Sequence, residues 1–107
     1  MSVREIVYLG RDNTVDLLLK EDGSAKDLSA VTRMIVKQDD GDWEVDYDTY
    51  NNAFDWDTGT TGKVILDLAA ALATEGVAAG EYVVRLVVYD PTNTDGLVWG
   101  RFVLEVA

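Results

Sequence analysis

The residues with the most chemical potential lie close together. Asp39, Asp40, Asp42, Glu44, Asp46, Asp48, Asp55 and Asp57 fall within the stretch 39–57. Such a run suggests two chemistries. Oxygen-rich loops are what a calcium ion needs. Two carboxylates at a suitable separation could also hydrolyse a glycosidic bond as acid and base. Neither signal is specific. The run Asp39, Asp40, Gly41, Asp42, Trp43 lacks the EF-hand spacing and its closing Glu. Glu44, Asp46 and Asp48 alternate with Trp43, Val45 and Tyr47, which sends the three acids down one side of a strand. A chain with 20 Asp and Glu also offers carboxylate pairs by chance. The acids are therefore expected to form a solvated face. No catalytic residue, cofactor site or metal site is assigned.

Other chemistries are excluded by composition. With 0 Cys there is no disulfide framework, thiolate nucleophile or zinc knuckle. With 0 His the usual base near neutral pH is missing, as is the commonest transition-metal ligand. A Ser-His-Asp triad cannot be built, whatever Ser2, Ser24 and Ser29 do. The formal charge of -11 repels phosphate backbones, so no nucleic-acid partner is expected. The same charge keeps a small β-protein soluble and discourages edge-to-edge pairing. No apolar run approaches a membrane span, and the opening Met1, Ser2, Val3, Arg4, Glu5 carries no signal-peptide core. The expectation is a chain made in the cytoplasm, not secreted, with no membrane partner.

Aromatics offer a different kind of site. Tyr50, Phe54 and Trp56 sit in the stretch 49–62, which follows no clear period. They could tack that segment onto the body of the protein, or form an interface or a sugar-stacking platform. Arg33, Arg85 and Arg101 fall mid-strand on three separate strands, where they could share one face and pair with acids such as Glu105. Tyr50, Phe54, Trp56 and Arg85 are thus the candidate interface residues.

The elements that must position these groups are mostly strands. Gly80–Tyr89 is the longest β-favouring run, set between Ala79 and Pro91, and both of its faces are apolar enough to be buried. It is expected to be the central strand, hairpin-paired with 97–106 across a polar loop at 90–96. Gly100 inside the last strand marks a bulge or a close backbone approach. Alternation places further strands at 4–9, 14–20, 31–37, 43–47 and 63–68, with a short one near 53–56. The segment 43–47 alternates most cleanly and reads as an outer or edge strand. At Gly10 the chain either makes a hairpin or crosses from one sheet to another. The one helical segment is about 69–75, alanine-rich and stopped by Gly76. Leu72 should plug one end of the fold from it. The pattern predicts an all-β, single-domain chain over 1–107. It is an immunoglobulin-like antiparallel β-sandwich of about seven strands with one short helix.

Two passages carry a family resemblance. Asp27, Leu28, Ser29, Ala30, Val31, Thr32 resembles an Asp-Leu-Ser/Thr-Gly-Ala-Thr lead into a strand. Val77, Ala78, Ala79, Gly80, Glu81, Tyr82 resembles a Pro-Ala-Gly-Thr-Tyr lead several strands later. The pair is similar to small immunoglobulin-like modules of tailed bacteriophages and prophages, including the N-terminal domain of baseplate upper proteins. Ala30 and Ala78 depart from the Gly and Pro common there. The resemblance implies a non-enzymatic virion protein, an assembly or decoration module of the tail, baseplate or fibre. Its partners would be other virion structural proteins and further copies of itself. The alternative expectation is a carbohydrate- or cell-surface-binding sandwich that uses the 50–56 aromatics, with or without calcium.

Overall fold

A computed structural model of the chain describes residues 4–12, 14–41 and 43–107. Ser2, Asn13 of the first predicted turn and Asp42 of the acidic stretch lie outside the described residues. The fold is mostly β, with strands β1 Arg4–Val7, β2 Val15–Leu18, β3 Lys20–Glu21, β4 Ser24–Ala25 and β5 Arg33–Gln38. They are followed by β6 Glu44–Asp46, β7 Phe54–Trp56, β8 Lys63–Leu66, β9 Gly80–Tyr89 and β10 Leu97–Val106. A short 3-10 turn, Asn51–Ala53, precedes β7, and one helix, α1 Ala69–Thr74, follows β8.

A five-stranded sheet runs in the order β1-β10-β9-β5-β6, and a three-stranded sheet in the order β2-β8-β7. β3 and β4 form a separate two-stranded hairpin. β9 has neighbours on both sides, as its two apolar faces predict, and β6 lies at an edge. The chain does cross between sheets after Gly10, because β1 pairs with β10 and β2 with β8. β1 runs parallel to β10, whereas the other paired strands are antiparallel.

Both sheets turn their inner faces to one apolar cluster, an arrangement compatible with a β-sandwich. Met34, Val36, Val84, Leu86, Phe102 and Leu104 come from the larger sheet, and Val15, Phe54, Val64 and Leu66 from the smaller. Leu28 is fully buried although it sits in no strand, so it is the anchor that its isolated position suggested. No charged or polar residue is buried among the described residues. The ion pairs therefore all lie outside this core, and its stability is that of close-packed hydrocarbon.

The helix is closed at its C-terminus by backbone geometry. Gly76, at φ +73°, donates to the Ala73 carbonyl at 3.1 Å, and Val77 donates to the Leu72 carbonyl at 3.0 Å. This Schellman pair satisfies two orphan carbonyls and needs a left-handed residue at Gly76. Leu72 is fully buried, as a plug should be. Gly62 is required for a different reason. A β-carbon there would lie 2.3 Å from the Leu19 carbonyl oxygen, while the Leu19 N–H donates to the Gly62 carbonyl at 2.8 Å.

The predicted bulge changes one expectation. The spacing puts Val98 on the same face as Phe102 and Leu104. The register instead slips between Val98 and Gly100, so Val98 stands opposite Val87 while Phe102 stands opposite Val84. One extra residue reverses the alternation. Val98 is thereby turned to solvent at 50% exposure.

Candidate functional site

The acidic stretch does not converge. Asp39 faces two arginines from neighbouring strands. Its carboxylate lies 3.2 Å from Arg85 Nε and 3.1 Å from Arg101 Nη1, and its carbonyl accepts from Arg85 Nη2 at 3.2 Å. Asp46 accepts two hydrogen bonds from Arg33, the Nε one at 2.9 Å, and Asp48 lies 3.3 Å from the same Nε. The Arg33 guanidinium holds the Asp46 carboxyl below its usual range, and Asp46 raises Arg33 in return. Asp57 folds its own loop, accepting from the Thr61 hydroxyl at 2.7 Å and the Gly59 N–H at 3.0 Å, which lowers its pKa. Asp40, Glu44 and Asp55 are exposed. Among the described residues no three His, Cys, Asp or Glu come together to hold a metal ion. The even solvated face predicted for Glu44, Asp46 and Asp48 is thus corrected at Asp46, which Arg33 draws into a half-buried pair.

The aromatic segment is mostly structural. Phe54 is buried at 5% exposure and meets Tyr47 edge-on at 6.2 Å. Trp56 is half-buried and packs on Tyr47 at 5.0 Å. Phe54 therefore belongs to the core and offers no surface to a partner. The mechanism is the alternation of β7, which pairs Phe54 with Leu66 and Trp56 with Val64 on the inner face of the small sheet. Tyr50 stands apart. Its hydroxyl donates to Glu75 beyond the end of α1, and that bond raises the phenol above its usual range. Beside it an open groove of about 270 Å³ is lined by Asn51, Asn52, Asp67 and Thr74 over a floor of Ala53, Ala70 and Ala71.

The fourth candidate, Arg85, leads to a more organised surface. It faces outward from β9, directly opposite Arg101 on β10 and Lys37 on β5. Like charges in facing positions repel, and the shared Asp39 carboxylate offsets that. Arg33, Arg85 and Arg101 do share one sheet face, but Glu105 partners Arg4 at 3.5 Å rather than any of the three. Arg4 also pairs with Glu81, and Arg33 lies over the Tyr89 ring at 4.8 Å.

Between these ion pairs run apolar rows. Val98, Val87 and the buried Ile35 stand side by side across three strands, and Val103 and Val83 face each other four residues away along β9. Val83 is 47% exposed. The sequence predicts that the apolar faces of Gly80–Tyr89 are both covered, and this is corrected: the outer one is open at Val83. Two neighbouring strands are enough to make a central strand, because backbone pairing lies in the plane of the sheet and says nothing about a layer above it. Sequence reading missed this surface for that reason. The alternation of Val83, Arg85 and Val87 was the available signal.

Charge is divided unevenly between the two sheets. The outer face of the five-stranded sheet carries Arg4, Arg33, Lys37, Arg85 and Arg101, five of the 9 Lys and Arg. Asp39, Glu44, Asp46, Asp48, Glu81 and Glu105 lie with them, so the face is close to neutral and nearly all of the -11 lies elsewhere. The outer face of the small sheet has Asp16, Ile65 and Asp55 in one row and Leu18 beside Lys63 in the next. Leu18 is the most exposed large apolar residue described, at 67%. No helix among the described residues is long and apolar enough to cross a membrane. No protein-family model matches the chain, and no curated protein matches it.

Proposed function

We propose that the chain is an immunoglobulin-like, non-enzymatic module that works by association, as a structural part of a phage or prophage particle in its tail, baseplate or fibre region. The observation that carries the reading is the outer face of the five-stranded sheet. Its exposed Val83 and Val98 are bracketed by ion pairs. A protein interface has this composition, with an apolar centre, arginines and few unpaired charges.

Topology supports the finer fold reading. The order β10-β9-β5-β6 corresponds to G-F-C-C′ of a variable-type immunoglobulin sandwich, and β2-β8-β7 to B-E-D. The Tyr82 hydroxyl donates to the Ala78 carbonyl at 2.7 Å, the geometry of a tyrosine corner at the start of strand F. Val84, two residues on, is fully buried where antibody domains place a disulfide cysteine. The phage assignment rests on the resemblance of the 27–32 and 77–82 segments.

Mass spectrometry of purified particles from the host strain tests the assignment. Stoichiometric recovery of this chain is expected, beside tail or capsid genes in the flanking reading frames. Its absence from particles, or a metabolic operon around its gene, would overturn it. A second reading is favoured by the groove beside Tyr50, where Asn51, Asn52 and Asp67 could hydrogen-bond a sugar. A glycan panel with and without calcium separates the two. Binding abolished by Tyr50→Ala would favour the second reading.

A further inference from the structure

We infer that the partner of the large-sheet face is the small-sheet face of a second copy of this chain, stacked head to tail. The inference rests on the reading of the large-sheet face as an association surface and names what covers it. Three observations carry it. Arg101, Arg85 and Lys37 stand in one row across β10, β9 and β5, with the single Asp39 carboxylate between the two arginines. Lys37 has no ion-pair partner among the described residues. On the small sheet Asp16, Ile65 and Asp55 stand in an equivalent row across β2, β8 and β7, and both acids are exposed and form no ion pair among the described residues.

The spacings agree because all sheets share one strand separation. Neighbouring strands lie about 4.8 Å apart, so the outer members of each row are about 10 Å apart. Two carboxylates flanking an isoleucine therefore fit two cations flanking the aliphatic stem of Arg85. The next row of the small sheet brings the exposed Leu18, with Lys63 beside it, toward the Val98 and Val87 row.

Charge also selects the geometry. A two-fold axis through the Arg85 row or through the Ile65 row would set cations on cations or acids on acids, which is unfavourable. Of these two rows, only the unlike pairing is complementary. An interface of this kind is heterologous, and it gives a ring or an open chain according to whether the rotation closes. The small sheet is less extensive than the roughly 800 Å² per partner of a standard interface, so a single contact is weak and repetition strengthens the assembly.

Sedimentation velocity in 0.15 M salt tests this, where a Debye length of about 8 Å screens long-range repulsion but spares contact pairs. The wild-type chain is expected to be monomeric near ~1 μM and to form a series beyond the dimer toward ~1 mM. Asp16→Lys with Asp55→Lys spoils one face, and Lys37→Glu with Arg101→Glu spoils the other. Each double variant should remain monomeric alone. An equimolar mixture should associate again, through the intact face that remains on each and through the two reversed faces, which complement each other. The milder pairs, Asp16→Asn with Asp55→Asn and Lys37→Gln with Arg101→Gln, should each weaken assembly at least tenfold, which guards against misfolding of the charge reversals. A wild type that stays monomeric throughout would overturn the inference, as would a closed dimer that survives in both variants. So would a mixture of normally melting variants that fails to pair. None of these outcomes bears on whether the chain is found in particles, so the two readings fail separately.

Discussion

The two sheets bury similar faces and expose different ones. Inside, Val84, Leu86 and Leu104 of the larger sheet meet Val15, Val64 and Leu66 of the smaller in one cluster. Outside, the larger sheet interleaves valines with arginines that are already paired, while the smaller presents Asp16 and Asp55 around Ile65 without an ion pair among the described residues. The contrast separates two tasks. Burial of hydrocarbon determines whether the chain folds, and it treats the sheets alike. Charge on the outer faces contributes less to folding than this interior does, and it is where the sheets differ. A surface without a fold-stabilising task is free to serve association.

The strongest test of the common interior is truncation on both sides of it. Leu104 on β10 and Leu66 on β8 are both fully buried. Leu104→Ala and Leu66→Ala should each cost about 3 kcal/mol, read as a shift in the urea midpoint. A Leu66 variant much milder than the Leu104 one would mean that the small sheet is only loosely attached.

The next effect belongs to the outside of the larger sheet. Asp46→Asn leaves Arg33 with a neutral acceptor at a half-buried site and should cost about 1–2 kcal/mol at pH 7. Its pH dependence has a definite sign. Arg33 lowers the folded-state pKa of Asp46, so the stabilisation is complete above the unfolded value of about 3.9 and is lost as pH falls through the lowered folded value. Chemical denaturation of both proteins between pH 7 and pH 3 should show the gap between them shrinking below about pH 4. A gap that stays constant would assign the cost to packing instead of charge.

The interior was more legible in the sequence than the exterior. Gly80–Tyr89 and Leu97–Val106 match their expected bounds because glycine, Asp-Pro and a polar loop punctuate long apolar runs. The helix was readable for the same reason, its alanines ending at a glycine. Phe54 was legible as an aromatic and illegible as core. Its strand has three residues, too few for alternation to declare a face. Val98 could not be assigned without knowing that the bulge begins immediately after it. The pairing of Asp39 with Arg85 and Arg101 depends on register between strands 46 and 62 residues distant, and a sequence pattern holds no such information. For the surface rows, then, only one strand at a time was readable.

A smaller effect is expected at the turn into β9. Tyr82→Phe removes one hydrogen bond, to the Ala78 carbonyl, while keeping the ring that meets Trp43 edge-on at 5.7 Å. It should cost about 1 kcal/mol. Thermal unfolding of the Phe variant beside Tyr82→Ala separates the hydroxyl from the ring. If the Phe variant matches the wild type, the corner is held by packing alone.

The smallest effect has the opposite sign, and it bears most directly on the contrast between the two exteriors. Asp16 and Asp55 flank Ile65 without an ion pair among the described residues, with Lys63 in the next row, on a molecule of charge -11. If they served folding, neutralising them would destabilise the chain, as is expected for Asp46. Their placement instead adds like-charge repulsion to an acidic surface. Asp55→Asn should therefore raise the stability of the monomer by ~0.5 kcal/mol or less, and more at low salt than at high. Urea titrations at about 0.02 M and about 0.5 M salt, at concentrations too low for assembly, make the measurement. A gain that fades with salt would mean that the acid is kept at some cost to stability, for a purpose outside the monomer. A clear loss would give the small-sheet face a structural task and remove its difference from the larger sheet.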